Sequence, residues 1–191
     1  MGLHVLSLEN IPETTNRDYF IYLLDYGWDE PIRNALRDNF DEMARKSAPN
    51  RAVIIKGTDI GHFESEVFSW HKINGCPADD VLPALLITNK HPRYFRESNH
   101  PFKMDKELYK EDDKKDMKLI LIPFKKFCKN PSDVATLIQK IFRDISDKKD
   151  LLDFMICKEM KKGVGKAIFD ALILAPNISG VGVDLKKFIG P

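Results

Sequence analysis

The chain has 191 residues, enough for one domain with an appendage and enough to bury a full core. Its 43% hydrophobic and 31% charged residues exclude a disordered or fibrous class. The net charge of +1 excludes a dominant electrostatic footprint for nucleic acid and leaves room only for a local patch.

No apolar run nears the roughly 18 residues that a membrane span needs. The start, MGLHVLSLENIPETT, lacks the basic head and apolar core of a signal peptide, and its register does not suit myristoylation. Cys76, Cys128 and Cys157 are odd in number, far apart and without Cys-x-x-Cys spacing. Free thiols in a reducing compartment are expected, and with them a cytoplasmic protein.

In chain order, residues 3–8 alternate apolar and polar and predict an edge strand. A polar linker follows, with Pro12, Thr14, Thr15 and Asn16. Tyr19 to Leu24 is a run of aromatic and branched residues, which suits a strand. The chain turns at Gly27. Ile32, Ala35, Leu36, Phe40 and Met43 then predict one helix, with Asp29 as its cap and Pro31 in its first turn. Ser47 to Asn50 is a breaker cluster. Ala52 to Ile55, bounded by Gly57, predicts a buried strand and so a parallel βαβ unit.

Residues 62–74 carry a helical pattern through Phe63, Val67, Trp70 and Ile73, with Gly75 as the stop. Pro83 directly precedes an apolar strand that runs to Ile87. Residues 89–116 are polar, with both charge signs interspersed, and predict a solvated loop or exposed helix. Lys118 to Phe124 predicts a strand. Asn130-Pro131-Ser132 opens a helix whose buried face is Val134, Leu137, Ile138, Ile141, Phe142 and Ile145. Residues 150–162 predict another helix through Leu151, Leu152, Phe154, Met155 and Met160. The remaining tail is apolar and rich in Gly.

A strand, then Trp28-Asp29-Glu30-Pro31-Ile32, then a helix containing FDEMA resembles the start of the thioredoxin fold. There the matching element reads Trp-Cys-Gly-Pro-Cys. Pro83 ahead of its strand is the second similarity, because in that family this proline is cis and faces the active-site turn. The likeness spans Tyr19 to Ile145. It implies an α/β fold, a thioredoxin-like three-layer α/β/α sandwich over residues 1–146. Residues 147–191 would then be a C-terminal helical and Gly-rich extension. It also implies that Asp25 is the partly buried acid of the matching strand.

The departures matter as much as the matches. Asp29 and Ile32 stand where the two cysteines would be. Asp29 cannot form a mixed disulfide and Ile32 cannot resolve one, so no disulfide oxidoreductase is expected. The resemblance then implies a redox-inactive protein-binding or scaffolding subunit. Its binding residues would be the degenerate turn, Trp28, Asp29, Glu30 and Pro31, with Pro83.

A second reading uses Asp25, Asp29 and Glu30 for non-thiol enzyme chemistry on the same scaffold. These acids lack a companion base or nucleophile at a recognisable spacing, so no catalytic residue is assigned. His62 and His71 point in nearly opposite directions on a helix, and His91 and His100 flank prolines. No zinc motif is present, and neither a metal nor a cofactor is expected. Gly163-Val164-Gly165-Lys166 is followed by Ala167, which does not fit a phosphate loop.

In the tail, Ile178, Val181, Val183, Leu185 and Phe188 are candidates to dock on a partner protein. Val181 to Leu185 alternates well enough to add a strand to an exposed sheet edge. The segment NISGVGVDLKKF is similar to the ends of small modules of bacterial conflict and antiphage systems, which gives a third reading. The sequence sets no oligomeric state.

Overall fold

The structure, a computed structural model, describes residues 1–12, 17–27, 30–59, 61–71, 73–74, 81–95, 118–157, 159, 173–174 and 183–184. The strands are β1 (Gly2–Val5), β2 (Tyr19–Leu24), β3 (Ala52–Gly57), β4 (Ile73–Asn74), β5 (Ala84–Thr88), β6 (Leu119–Pro123), β7 (Ile173–Leu174) and β8 (Val183–Asp184). The helices are α1 (Pro31–Asp38), α2 (Phe40–Ser47), α3 (His62–Trp70), α4 (Phe124–Phe127) and α5 (Pro131–Ser146).

All six residues of β2 are buried, as a run without polar positions requires of a strand covered on both faces. β2 pairs in parallel with β3 and antiparallel with β5. The main sheet runs β1-β3-β2-β5-β6-β7, with β1 parallel to β3 and with β6 and β7 each antiparallel to the preceding neighbour. The β2–β3 connection is the expected parallel crossover.

The helices lie on both faces of this sheet. His4, Lys56 and Leu23 share one cross-strand row, so their side chains share one face. His4 and Lys56 both meet the Phe40 ring of α2 there, and α5 packs on α1 and α2. Tyr22 points to the opposite face, against Phe63 and His71 at α3. The chain is thus an α/β protein with a mixed sheet.

Several boundaries differ from the sequence reading. The single helix expected from Ile32 to Met43 is two. Asn39 separates them, and its side-chain amide donates to the Ala35 carbonyl at 2.7 Å. The cap position of α1 is Glu30, without a side-chain cap bond, rather than Asp29; Pro31 occupies the first turn as expected. α3 stops at Trp70 rather than running to residue 74. The His71 ring and backbone nitrogens both face the Val67 carbonyl, at 2.8 and 3.1 Å, and close its last turn. Ile73 and Asn74 become β4. The strand expected to include Phe124 ends at Pro123, because the Phe124 N–H donates to the Pro83 carbonyl as α4 begins. The Leu82–Pro83 bond is cis, the form expected of it.

α5 follows the sequence closely. Asn130 and Asp133 form a reciprocal capping box, and every apolar position expected to be buried is buried. Asp144 on the same face was not foreseen. It is fully buried and accepts from the Lys149 ammonium and the Met155 N–H. These bonds draw the following segment onto the domain.

The expected helix over residues 150–162 starts late: Leu151–Asp153 is a 3₁₀ turn, and of the described residues beyond Phe154, 155–157 and 159 are α-helical. Phe154 between them has extended backbone and sends its ring to Tyr19, 6.0 Å between centroids. Leu151, Phe154, Ile156 and Cys157 join the same hydrophobic core. Met160 lies outside the described residues. In the tail, Val183 and Asp184 pair in parallel with Ile73 and Asn74 of the same chain. Ile178, Val181, Leu185 and Phe188 lie outside the described residues, as do residues 96–117, most of the predicted polar stretch.

His71 gives the fold a pH limit. Burial lowers its pKa from an ordinary 6.5 to about 4, opposed by the hydrogen bond to Val67. Its Nε2 has no hydrogen-bond partner among the described residues, so a protonated ring would bury an unpaired charge. The unfolded chain takes the proton below about pH 6.5 and the folded chain only near 4. The neutral ring's contribution is therefore complete above pH 6.5 and is lost as pH falls to about 4. Glu64, raised by burial, works in the opposite sense. Between pH 7 and 4.5 the parent should lose roughly 2 kcal/mol more than His71→Leu. Urea midpoints at the two pH values check this; parallel losses would refute it.

Asp144→Ala should lower stability by about 1–3 kcal/mol, since it leaves the part-buried Met155 N–H without its acceptor and opens a space in the core where the carboxylate was fully buried. Asp147→Ala removes only an exposed contact to Lys149 and should shift stability by less than about 0.5 kcal/mol. Thermal melts of the two variants separate these outcomes.

Candidate functional site

β1, β3 and β2 run in one direction, so their carboxyl ends meet at one edge of the sheet. A cleft of about 340 Å³ opens there. Asp25, the first residue after β2, forms its floor. Its Oδ1 accepts from Arg33 Nε at 3.0 Å and from the Gly27 N–H. Gly27 has φ of 79°, a conformation that favours glycine and brings its N–H back onto the carboxylate. Asp25 and Arg33 side chains are only 12% and 9% exposed, so this is a buried ion pair.

Glu64, in the first turn of α3, supplies the second carboxyl. Its Oε1 accepts from the Asp25 N–H at 3.3 Å and its Oε2 from the Gly61 N–H at 2.7 Å. Burial raises its pKa, opposed by these backbone bonds, and the Asp25 charge adds a smaller push upward. Gly57 sets the depth of α3. A Cβ at Gly57 would lie 2.4 Å from the Cβ of Phe63, so only glycine lets the helix seat this closely.

The rim is cationic. Lys56 on β3 holds its ammonium 4.6 Å from the centroid of the Phe40 ring. Arg37 stands one turn beyond Arg33 on α1, and its closest carboxylate is Asp38 at 4.0 Å, both well exposed. His4 stacks edge-on against Phe40. Its pKa is lowered by burial and by the Lys56 charge, with Asp41 opposing. Thr58 closes the wall and donates its hydroxyl to the Val5 carbonyl at 3.3 Å.

Two members of the expected acid cluster have different cations as partners. Asp25 is held by Arg33, whereas Glu30 pairs with Lys125 of α4 at 3.0 Å. Trp28 and Asp29 lie outside the described residues. Pro31 is exposed at the start of α1, and Pro83 is buried at the start of β5. Arg33 and Glu64 were missed by the sequence reading. Arg33 carried a signal, since it shares a helical face with Leu36 and Phe40, where an apolar residue would be the ordinary choice.

The thiols are ill suited to nucleophilic work. Cys128 and Cys157 are free and buried. Burial pushes Cys128 up to about 11 and Cys157 up to about 12, with nearby acids adding to both. Cys76 lies outside the described residues. Among the described residues no group of His, Cys, Asp and Glu could hold a metal ion, and no helix is long and apolar enough to cross a membrane.

The Asp25–Arg33 pair yields a double-substitution test. Arg33→Met alone leaves Asp25 buried without its cation and should cost about 3 kcal/mol. Adding Asp25→Asn should recover most of that loss. Denaturant midpoints of both variants check the coupling; additive losses would show that the charges do not depend on each other.

No family model, curated protein or solved structure matches this chain.

Proposed function

We propose that the chain is a thioredoxin-like scaffold that has lost disulfide chemistry and serves as a protein-binding subunit. The observation that carries this reading is the sequence Trp28-Asp29-Glu30-Pro31-Ile32 between β2 and the body of α1, with Asp29 and Ile32 in place of two cysteines and Pro83 directly before β5. The parallel unit from β2 through α1 and α2 to β3 supports it, as do the β5–β6 antiparallel pair and the closing helix α5. The raised pKa values of Cys128 and Cys157 support the loss of thiol chemistry. Free buried thiols also fit a reducing, cytoplasmic compartment.

The partner surface in this reading is formed by Trp28, Asp29, Glu30 and Pro31 together with Pro83. The Asp25–Arg33 pair and the Gly27 bend fix the backbone that presents it. Acid chemistry by Asp25, Asp29 and Glu30 is the weaker reading, because Asp25 and Glu30 are each engaged by a separate cation.

Two measurements test the proposal. Insulin reduction with dithiothreitol should run at the blank rate; a faster rate that disappears in a Cys76→Ser, Cys128→Ser, Cys157→Ser variant would overturn the redox-inactive reading. A protein retained stoichiometrically by the tagged full chain should be lost on Trp28→Ala with Pro31→Ala. Undiminished retention by that variant would move the partner surface away from the turn.

A further inference from the structure

The strand-end cleft carries positive charge that the described residues do not balance. Three full cations line it, Arg33, Arg37 and Lys56, against two carboxyls, Asp25 and Glu64. Asp25 is neutralised by Arg33 at 3.0 Å. The Glu64 oxygens are occupied by the N–H groups of Asp25 and Gly61, and neither faces a cation within ion-pair distance among the described residues. That leaves Arg37 and Lys56. Arg37 has only the loose, exposed contact to Asp38 at 4.0 Å, which neutralises little in water. Lys56 has no carboxylate partner among the described residues, and its ammonium rests on the face of Phe40.

We propose that this cleft binds a small dianion, a phosphate monoester or a dicarboxylate, held by Arg37 and Lys56 at the carboxyl ends of β1, β2 and β3. Guanidinium and ammonium donors are the groups that recognise oxyanions. Arg37 and Lys56 can each donate to a separate oxygen of such a ligand, and the cleft lining as a whole is net positive. The cleft volume of about 340 Å³ exceeds a bare phosphate and admits a small carbon skeleton. Leu23 on its wall offers that skeleton an apolar surface. The surroundings disfavour a long polyanion: Asp38 stands beside Arg37, and Asp41 is close enough to act on the His4 charge. The site goes beyond the scaffold reading and stands whether or not the turn binds a partner.

The test is an amide-resolved NMR titration of the full chain with glycerol 3-phosphate and, separately, with succinate, at constant ionic strength set by sodium chloride. Saturable shifts are expected at Gly57, Thr58 and the residues around Lys56 with at least one of the two. Which one saturates at lower concentration identifies the headgroup. Arg37→Gln lies on the exposed face of α1 and should fold normally while weakening binding about tenfold, the scale of one charge-assisted contact. Arg37→Gln with Lys56→Gln should abolish saturation. The proposal is overturned if neither probe saturates, if chloride alone produces the same shifts, or if Arg37→Gln retains parental affinity. Tighter binding of heparin at the same amides would overturn the small-ligand assignment.

Discussion

Burial of β2 on both faces is the constraint on which the remaining structure depends. Six consecutive residues are buried, so the first polar group after the strand must be satisfied by the protein. Asp25 is that group. Its carboxylate takes the Gly27 N–H and the Arg33 guanidinium, and its own N–H goes to Glu64. One residue thereby joins the central strand, the helix on one face and the helix on the other. A buried pair of this kind adds little net stability over apolar residues of the same shape, because desolvation offsets most of the attraction. What it does add is direction, since a guanidinium satisfied at one oxygen fixes where α1 must start.

The sequence exposed the parts of this design that are periodic or local. β2 matched residue for residue, because aromatic and branched residues in an unbroken run have few alternatives. The buried face of α5 was legible for the same reason, and its Asn130–Asp133 capping box is a local hydrogen-bond pattern. The break at Asn39 was hidden because Phe40 and Met43 stay in phase with Leu36 across it. Residues 151–154 misled in the opposite sense: Leu151 and Phe154 are spaced for an α-helix with Met155, yet a 3₁₀ turn and an extended Phe154 bury both ahead of the helical residues 155–157.

Buried charge was the feature least visible from sequence. Arg33, Glu64 and Asp144 each look like ordinary surface residues in a window of ten. Glu64 meets Asp25 across a separation of 39 residues, and Asp144 meets Met155 only because the chain doubles back after α5. No local pattern encodes such pairings. The one available hint is negative, a charged residue at a position where the helical repeat asks for an apolar one, and both Arg33 and Asp144 satisfy it.

Sheet direction explains why the cleft is where it is. β5 and β6 are antiparallel and send their ends to opposite edges, so each edge there receives residues from a short connection. β1, β3 and β2 are parallel and deliver three carboxyl ends to a single edge. Residues as far apart in the chain as His4, Asp25 and Lys56 therefore converge without any long loop. Parallel pairing also requires a crossover, and here that crossover is α1 and α2, which places Arg33 and Arg37 over the same edge. No cysteine lies between β2 and α1, so the segment beside this edge has no thiol to use. The groups this topology leaves able to engage a ligand at the parallel edge are therefore its unbalanced charges.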